Sequence, residues 1–166
     1  MTVPSKTFVV MLCAILGMTI AGVQTIPGWI KSKYATASSD ELNAMVRIAQ
    51  ADTFCFGGTG IAAASSPADI MFEHVFFSPK AADLFAWAFE HGTPQGQMFA
   101  LLGLRHLAPQ RCQSLAARLS PSSEVRIASG CIFGKLSARE AFIHQIESGA
   151  YDVMVQRMKV HASLDK

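Results

Sequence analysis

The chain has 166 residues, of which 51% are hydrophobic and 16% charged, with a mean hydropathy of +0.30. This composition excludes a disordered or collagen-like protein and predicts one compact domain, long enough to form a core without disulfides or structural metals. The net charge of +2 comes from residues 1–37, where Lys6, Lys31 and Lys33 stand without any acid; the rest of the chain is slightly acidic, so no nucleic-acid partner is expected.

The first predicted element is an apolar segment, residues 8–26, which contains no charged residue and follows Lys6. A helix of about 20 apolar residues crosses a bilayer, whereas a secretory signal has a shorter apolar region and a small-residue cleavage site. A retained anchor and a cleaved signal both remain open, with a buried core helix as a third interpretation. The candidate cleavage sites are Ala21-Gly22-Val23 and Ala35-Thr36-Ala37. For an anchor or a signal, the amino end lies in the cytoplasm and the body on the extracytoplasmic, periplasmic side.

Two groups of side chains favour the hypothesis that residues 8–26 span a membrane. Cys13, Gly17 and Ala21 recur every four residues and would form a small-residue face on which another membrane helix could pack closely. Trp29 and Tyr34, just after the apolar segment, suit the interface between membrane and water. The sequence therefore predicts a leader and linker over residues 1–37 and an exported helical domain over residues 38–166.

The exported domain begins with a series of predicted short helices. Ser38 supplies a cap for the first of them, with Asp40 and Glu41 in its first turn. Three later pairs place a hydroxyl at the N-cap and proline at the first helical position: Ser66-Pro67, Ser78-Pro79 and Thr93-Pro94. The dense apolar pattern over residues 98–104 predicts a central buried helix, and Ala108-Pro109 opens another that runs to about Leu119.

Two segments have the composition of β-structure. Residues 52–64 combine aromatic and small residues, with Gly57, Gly58 and Gly60 predicted to form a tight turn, and residues 124–133 alternate as a strand does. We expect these two segments to pair with each other. Ser137 then caps a helix through Ile146 that ends at Gly149, and a helical tail follows over residues 151–160. The predicted fold is mainly α: an N-terminal apolar helix, then stacked short helices with a minor two-stranded β element.

Three motifs together carry a resemblance. They are FCFGGTG at residues 54–60, TPQGQMFALLGL at residues 93–104 and SGC at residues 129–131. This combination resembles a set of uncharacterised exported bacterial proteins that share an F-x-F-G-G-x-G segment, a T-P-x-G-x-[YF]-A-L-x-G-L helix and a G-C dipeptide. Residues 93–104 depart from the helix pattern by one extra residue before Phe99. The resemblance implies export and a small helical domain, and it implies no activity.

A glycine pattern and the cysteines are the candidates for chemistry in the predicted domain. Gly58-Thr59-Gly60 with Ala63 fits the G-x-G-x-x-A pattern of dinucleotide-binding sites. Pro67 would break the helix that such a site needs, and no βαβ unit follows, so no cofactor is expected.

In an oxidising compartment, the three cysteines of the body predict one disulfide and one free thiol. Cys131 is the preferred member of the disulfide, paired with either Cys55 or Cys112.

The five histidines have no metal-ligand spacing, so neither a metal site nor a catalytic group is predicted. His74 and His91 each follow a Phe-Glu pair, and a histidine near a helix C-terminus is favoured by the helix dipole without any function.

The sequence therefore favours a non-enzymatic, membrane-anchored exported domain that serves as an accessory or scaffold subunit of an envelope or membrane protein complex. Two alternatives remain open. The first is an exported hydrolase that uses Cys131 with a histidine, and the second is a soluble periplasmic protein that binds small ligands in an apolar pocket.

Overall fold

The computed structural model describes residue 26 and residues 28–57, 66–129 and 132–164. The helices that precede the sheet are α1 (Gly28–Lys33), α2 (Ser39–Ala49), α3 (Pro67–Phe76), α4 (Ala81–His91), α5 (Pro94–Leu107) and α6 (Pro109–Ala116). They are followed by β1 (Glu124–Ser129), β2 (Ile132–Ser137), α7 (Ala138–Ala141), a π-helix (Phe142–Glu147) and α8 (Asp152–Leu164). The prediction of a mainly helical chain with a two-stranded β element is confirmed for these residues.

The predicted caps explain where most of the helices begin. Ser38 and Ser66 each form a capping box, in which the serine hydroxyl accepts from a backbone N–H and an acid three residues later accepts from the serine N–H. Thr93 caps α5 in the predicted way, because its hydroxyl accepts from the N–H of Gly96 at 3.0 Å. The helix starts at Ser38, Ser66 and Thr93 are therefore confirmed.

The predicted helix start at Ser78 is wrong. Ser78 and Pro79 form a tight turn between α3 and α4, because the N–H of Ser78 is still bonded to the carbonyl of Val75 at 3.1 Å. The Ser78 hydroxyl accepts from the N–H of Lys80 instead, and α4 begins at Ala81 without a side-chain cap.

The core is organised around α5, as its apolar pattern predicted. This helix packs against α2, α4 and α6 and also contacts β1. Its buried apolar residues are Met98, Phe99, Ala100, Leu101, Leu102 and Leu104. On the neighbouring helix α3, Phe72 is fully buried, and its ring lies 4.8 Å from that of Phe56 and 5.1 Å from that of Phe85, measured between centroids.

The sheet differs from the predicted pairing. Strands β1 and β2 form an antiparallel hairpin in which Glu124 lies opposite Ser137 and Ile127 lies opposite Gly134. The predicted contact between the two β-like segments is reduced to a single parallel bridge from Phe54 to Ile127. The single strand predicted over residues 124–133 is wrong: this range covers β1 and the start of β2, because the neighbouring segment of the chain satisfies the hydrogen bonds of β1.

Beyond the sheet, the helix predicted from Ser137 is present but changes form. Ser137 caps α7, and the chain then continues as a π-helix through Glu147. Gly149 ends this region with a φ of +82°, a left-handed conformation that favours glycine. The tail is helical, and α8 reaches Leu164 rather than residue 160.

The segment before residue 38 contributes to the same core. Ile30 of α1 and Tyr34 just after it are buried there, so the prediction that Tyr34 lies at a membrane interface is wrong: its ring packs inside the domain. Trp29 remains more than half exposed. Among the described helices, none has both the length and the apolar character needed to span a membrane. Cys13, Gly17 and Ala21, with the rest of the apolar segment up to residue 25, lie outside the described residues.

Thr93 connects the start of α5 to the end of α2 and the turn after it, so its substitution tests how these two helices are held together. Besides capping α5, its hydroxyl donates to the carbonyl of Ala51 at 2.5 Å, and its N–H donates to the carbonyl of Ala49 at 2.8 Å. We expect Thr93→Val to lower the free energy of unfolding by about 1–2 kcal/mol, because both hydroxyl bonds are lost. Urea denaturation measures this change. Thr93→Ser is the control that keeps the hydroxyl, and an equal loss in both variants would contradict the assignment.

Candidate functional site

The two described cysteines, Cys55 and Cys112, are buried and are not bonded to each other. Burial raises the pKa of Cys112 to about 11, and its sulfur lies 3.4 Å from the carbonyl oxygen of Leu101. Burial also raises the pKa of Cys55. A reactive thiol requires a lowered pKa, so these environments favour structural thiols. Cys131, the preferred disulfide partner, lies outside the described residues, and its pairing with Cys55 or Cys112 stays a prediction.

The predicted glycine turn is described only at Gly57. This residue has a φ of +88°, as a tight turn requires, while Gly58 and Gly60 lie outside the described residues. The open side of Gly57 is filled by the thioether of Met154 from α8, which would clash with any Cβ at this position. Gly57 therefore contacts α8.

Two histidines occupy the helix ends that the sequence predicted. His91 ends α4, where its Nδ1 lies 3.0 Å from the carbonyl oxygen of Trp87 and its ring stacks on the indole with centroids 4.5 Å apart. His74 lies in the last turn of α3 and is exposed. Within the described ranges, no group of three or more histidine, cysteine or acidic side chains could hold a metal ion.

A charged cluster that the sequence did not reveal joins α5 to α8. Arg105 forms an ion pair with Asp152 at 2.9 Å, and the Nε2 of His106 lies 3.3 Å from the other oxygen of Asp152, without hydrogen-bond geometry. Burial lowers the pKa of His106, Lys159 and Arg105 lower it further, and the charge of Asp152 opposes them. The cluster ties the start of α8 to the end of α5.

This cluster predicts a pH dependence of stability. Because the pKa of His106 is lower in the folded state than its ordinary value of 6.5, the unfolded chain binds the proton more tightly and stability falls as the pH drops through that value. We expect His106→Gln to reduce the loss of unfolding free energy between about pH 7.5 and pH 5. Urea denaturation at both pH values measures it, with the exposed His161→Gln as control. Equal pH dependence in both variants would contradict the role of His106.

A cavity of about 390 Å³ opens beside Cys55. Its wall includes Arg47 and Asp52 from the end of α2 and the following turn, and Ser66 and Met71 from α3. None of the described residues that line this cavity is a histidine, so it brings no histidine to the Cys55 thiol.

The outer face of α3 forms a different kind of surface. Ile70 and Phe77 are 48% and 45% exposed, although the opposite face of the same helix buries Phe72, Val75 and Phe76. A helix that is apolar on both faces is usually covered on both. The sequence carried this signal, because apolar residues in PADIMFEHVF occupy more than one stripe.

Two concavities meet on this outer face. One has a volume of about 560 Å³ and extends from α3 to the start of α2; the other, about 160 Å³, lies between α3 and α8; Ile70 and Glu73 line both. We call the combined surface the α3 groove. Its apolar side chains are Phe56, Ile70, Phe77, Met154 and Met158, and its acidic side chains are Asp40, Glu41, Asp69 and Glu73.

The α3 groove is acidic. No lysine or arginine lines either concavity among the described residues, and His74 is their one basic side chain there. A hydrogen bond from Ser78 lowers the pKa of Glu41, with further bonds from Ser38, so this carboxylate stays ionised at neutral pH. An apolar strip with an acidic rim can bind a partner that presents apolar side chains flanked by positive charge.

Comparison with known protein families, with curated proteins and with solved structures finds no match to this chain.

Proposed function

We propose that the protein is a membrane-anchored, exported helical domain that acts as an accessory or scaffold subunit of a bacterial envelope or membrane protein complex. The α3 groove is the observation that carries this proposal. Ile70 and Phe77 are half-exposed there, and Ile70 also lies beside Met154, whereas single scattered apolar side chains would need no explanation. A contiguous apolar strip with a charged rim is typical of a protein-binding surface.

The position of α1 supports a domain held close to the bilayer. Gly28–Lys33 begins two residues after the apolar segment predicted to span the membrane, and Ile30 is buried in the domain core. A helix that packs on the domain core would thus follow the predicted anchor almost directly, without a long linker between them. Trp29, Lys31 and Lys33 are exposed on α1, and such residues favour contact with a membrane surface.

The intact mass of the protein, purified from the native membrane fraction without reductant, tests this proposal. We expect the full-length mass in the detergent extract, together with a defined cross-linked partner of stoichiometric abundance. A mass that corresponds to cleavage after Val23 or Ala37, found for a monomeric protein in the soluble fraction, would overturn the proposal. The same mass measurement reports whether a disulfide has formed, and mass spectrometry of the non-reduced peptides shows whether Cys131 takes part in it.

A further inference from the structure

The α3 groove allows the chemistry of the partner to be specified, an inference that rests on the proposed function. We propose that the groove binds an amphipathic helix of the partner, whose apolar side chains enter between α3 and α8 and whose flanking residues are lysines or arginines. Helix-in-groove recognition of this kind uses apolar anchors at positions i, i+3 or i+4, and i+7.

The spacing of the apolar side chains fits such a helix. Phe77 is the residue that caps the C-terminus of α3, seven residues after Ile70, which places the two about 10 Å apart along the helix axis. A ligand helix that runs alongside α3 has the same distance between its own residues i and i+7. Glu73 stands between the two anchors and lines both concavities, so it lies where the centre of the ligand helix would pass.

The second wall of the groove is adaptable. Met154 and Met158 are four residues apart on α8 and lie on one face of it, against Phe56 and Gly57. Methionine side chains are flexible and polarisable, and they are enriched at surfaces that bind helices. The nearby cation Lys159 is directed to the ring of Phe76, 5.4 Å from its centroid, and does not line the groove.

The charges select a basic ligand. Some acids elsewhere on the surface are paired with bases, as in Asp83 with Arg111 at 2.8 Å and Glu124 with Lys135 at 2.7 Å. Asp40 and Glu73 take part in no ion pair within the described part of the chain, although both line the groove. Positive residues on the ligand would supply the missing partners, whereas an acidic ligand would be repelled.

The experiment uses the full-length protein in detergent and a short synthetic helix of leucine and lysine that carries a fluorophore and a benzophenone. Fluorescence polarisation measures binding relative to protein-free micelles, and mass spectrometry locates the photo-cross-link. We expect saturable binding, cross-links to α3 or α8 in the groove, and no binding of a matching peptide of leucine and glutamate.

Matched variants test which side chains of the α3 groove contribute to peptide binding. We expect Glu73→Lys to weaken binding about tenfold, since attraction becomes repulsion, while the exposed acid Glu147, outside the groove, tolerates Glu147→Lys. Ile70→Ser with Phe77→Ser should abolish measurable binding, and Val153→Ser, an exposed apolar residue outside the groove, should leave it unchanged. Circular dichroism confirms that each variant is folded.

Several outcomes would overturn the inference: no binding by the wild type, equal binding of the acidic peptide, equal effects of Glu73→Lys and Glu147→Lys, or cross-links of the peptide only outside the groove. The proposed function and the inference about the groove are refuted by different results. A soluble, partnerless protein that still binds the basic helix refutes the membrane subunit, whereas a membrane subunit cross-linked to its partner only outside the groove refutes the inference.

Discussion

Phe72→Ala is expected to lower the free energy of unfolding by about 3–5 kcal/mol, the largest effect predicted for a single side chain of this protein. Phe72 has no exposed surface and its ring contacts those of Phe56, Phe76 and Phe85, with Phe99 slightly farther away. Removing the ring would leave a cavity between α3, α4 and α5 that backbone movement cannot fill, because these helices are each held by other contacts.

Urea denaturation followed by circular dichroism measures this change. Phe72→Leu, the control, keeps most of the apolar volume and should cost clearly less. On the outer face of the same helix, Ile70→Ser should cost about 1 kcal/mol or less, since the side chain is half-exposed. A loss for Phe72→Ala no greater than that for Ile70→Ser would contradict the described packing of α3.

The contrast between these two variants separates folding from function. Phe72 holds α3 on the core, and Ile70 lies on the opposite side, in the groove. We therefore expect Ile70→Ser to reduce peptide binding with little loss of stability. Phe72→Ala should reduce binding only to the extent that it unfolds the domain. The two effects must be compared at a temperature where both variants are folded.

Gly96→Ala is expected to lower the free energy of unfolding by about 2–3 kcal/mol. Gly96 lies in the first turn of α5, where this helix meets the end of α2. A Cβ at this position would lie 2.5 Å from the carbonyl oxygen of Ala49 and 2.7 Å from that of Ile48. Both atoms belong to the backbone, so the clash can be relieved only by moving the two helices apart, and the better helix propensity of alanine does not offset it.

Gly28→Ala is the matched control, because a Cβ there would meet nothing within 4 Å. This variant should leave stability unchanged or raise it slightly. Gly103→Ala would meet the ring of Phe85 rather than backbone, and we expect a smaller loss than for Gly96→Ala because a side chain can adjust. Thermal unfolding of the three variants under one condition gives their order. If Gly28→Ala and Gly96→Ala unfold at the same temperature, the close crossing of α2 and α5 is wrong.

Local chemistry explains the features that were predicted correctly. The helix starts at Ser38, Ser66 and Thr93 depend on hydrogen bonds within four residues, so the sequence alone contains the partners. The start predicted at Ser78 fails because a bond from the preceding helix competes for the same turn. The strand over residues 124–133 had the correct alternation, but alternation does not show where a hairpin turns.

The candidate site could not be predicted from such local patterns. The α3 groove combines residues from α2, α3, α8 and the segment around Phe56, which only packing brings together. The excess of apolar residues on α3 was visible, but its exposed stripe could not be separated from the buried one without knowing which side faces α5. The ion pair of Arg105 and Asp152 was equally hidden, since its members are 47 residues apart.

The sequence by itself determined the helical class, the capped helix starts, the central buried helix α5 and the charge asymmetry between the first 37 residues and the rest. These features depend on composition, periodicity and contacts between near neighbours. Only the tertiary structure decided that Tyr34 belongs to the core, that β1 pairs with β2, and that acids and methionines distant in the chain form one groove. The physical reason is that burial and charge pairing between distant segments are set by how helices pack, and packing depends on the whole set of side chains at once.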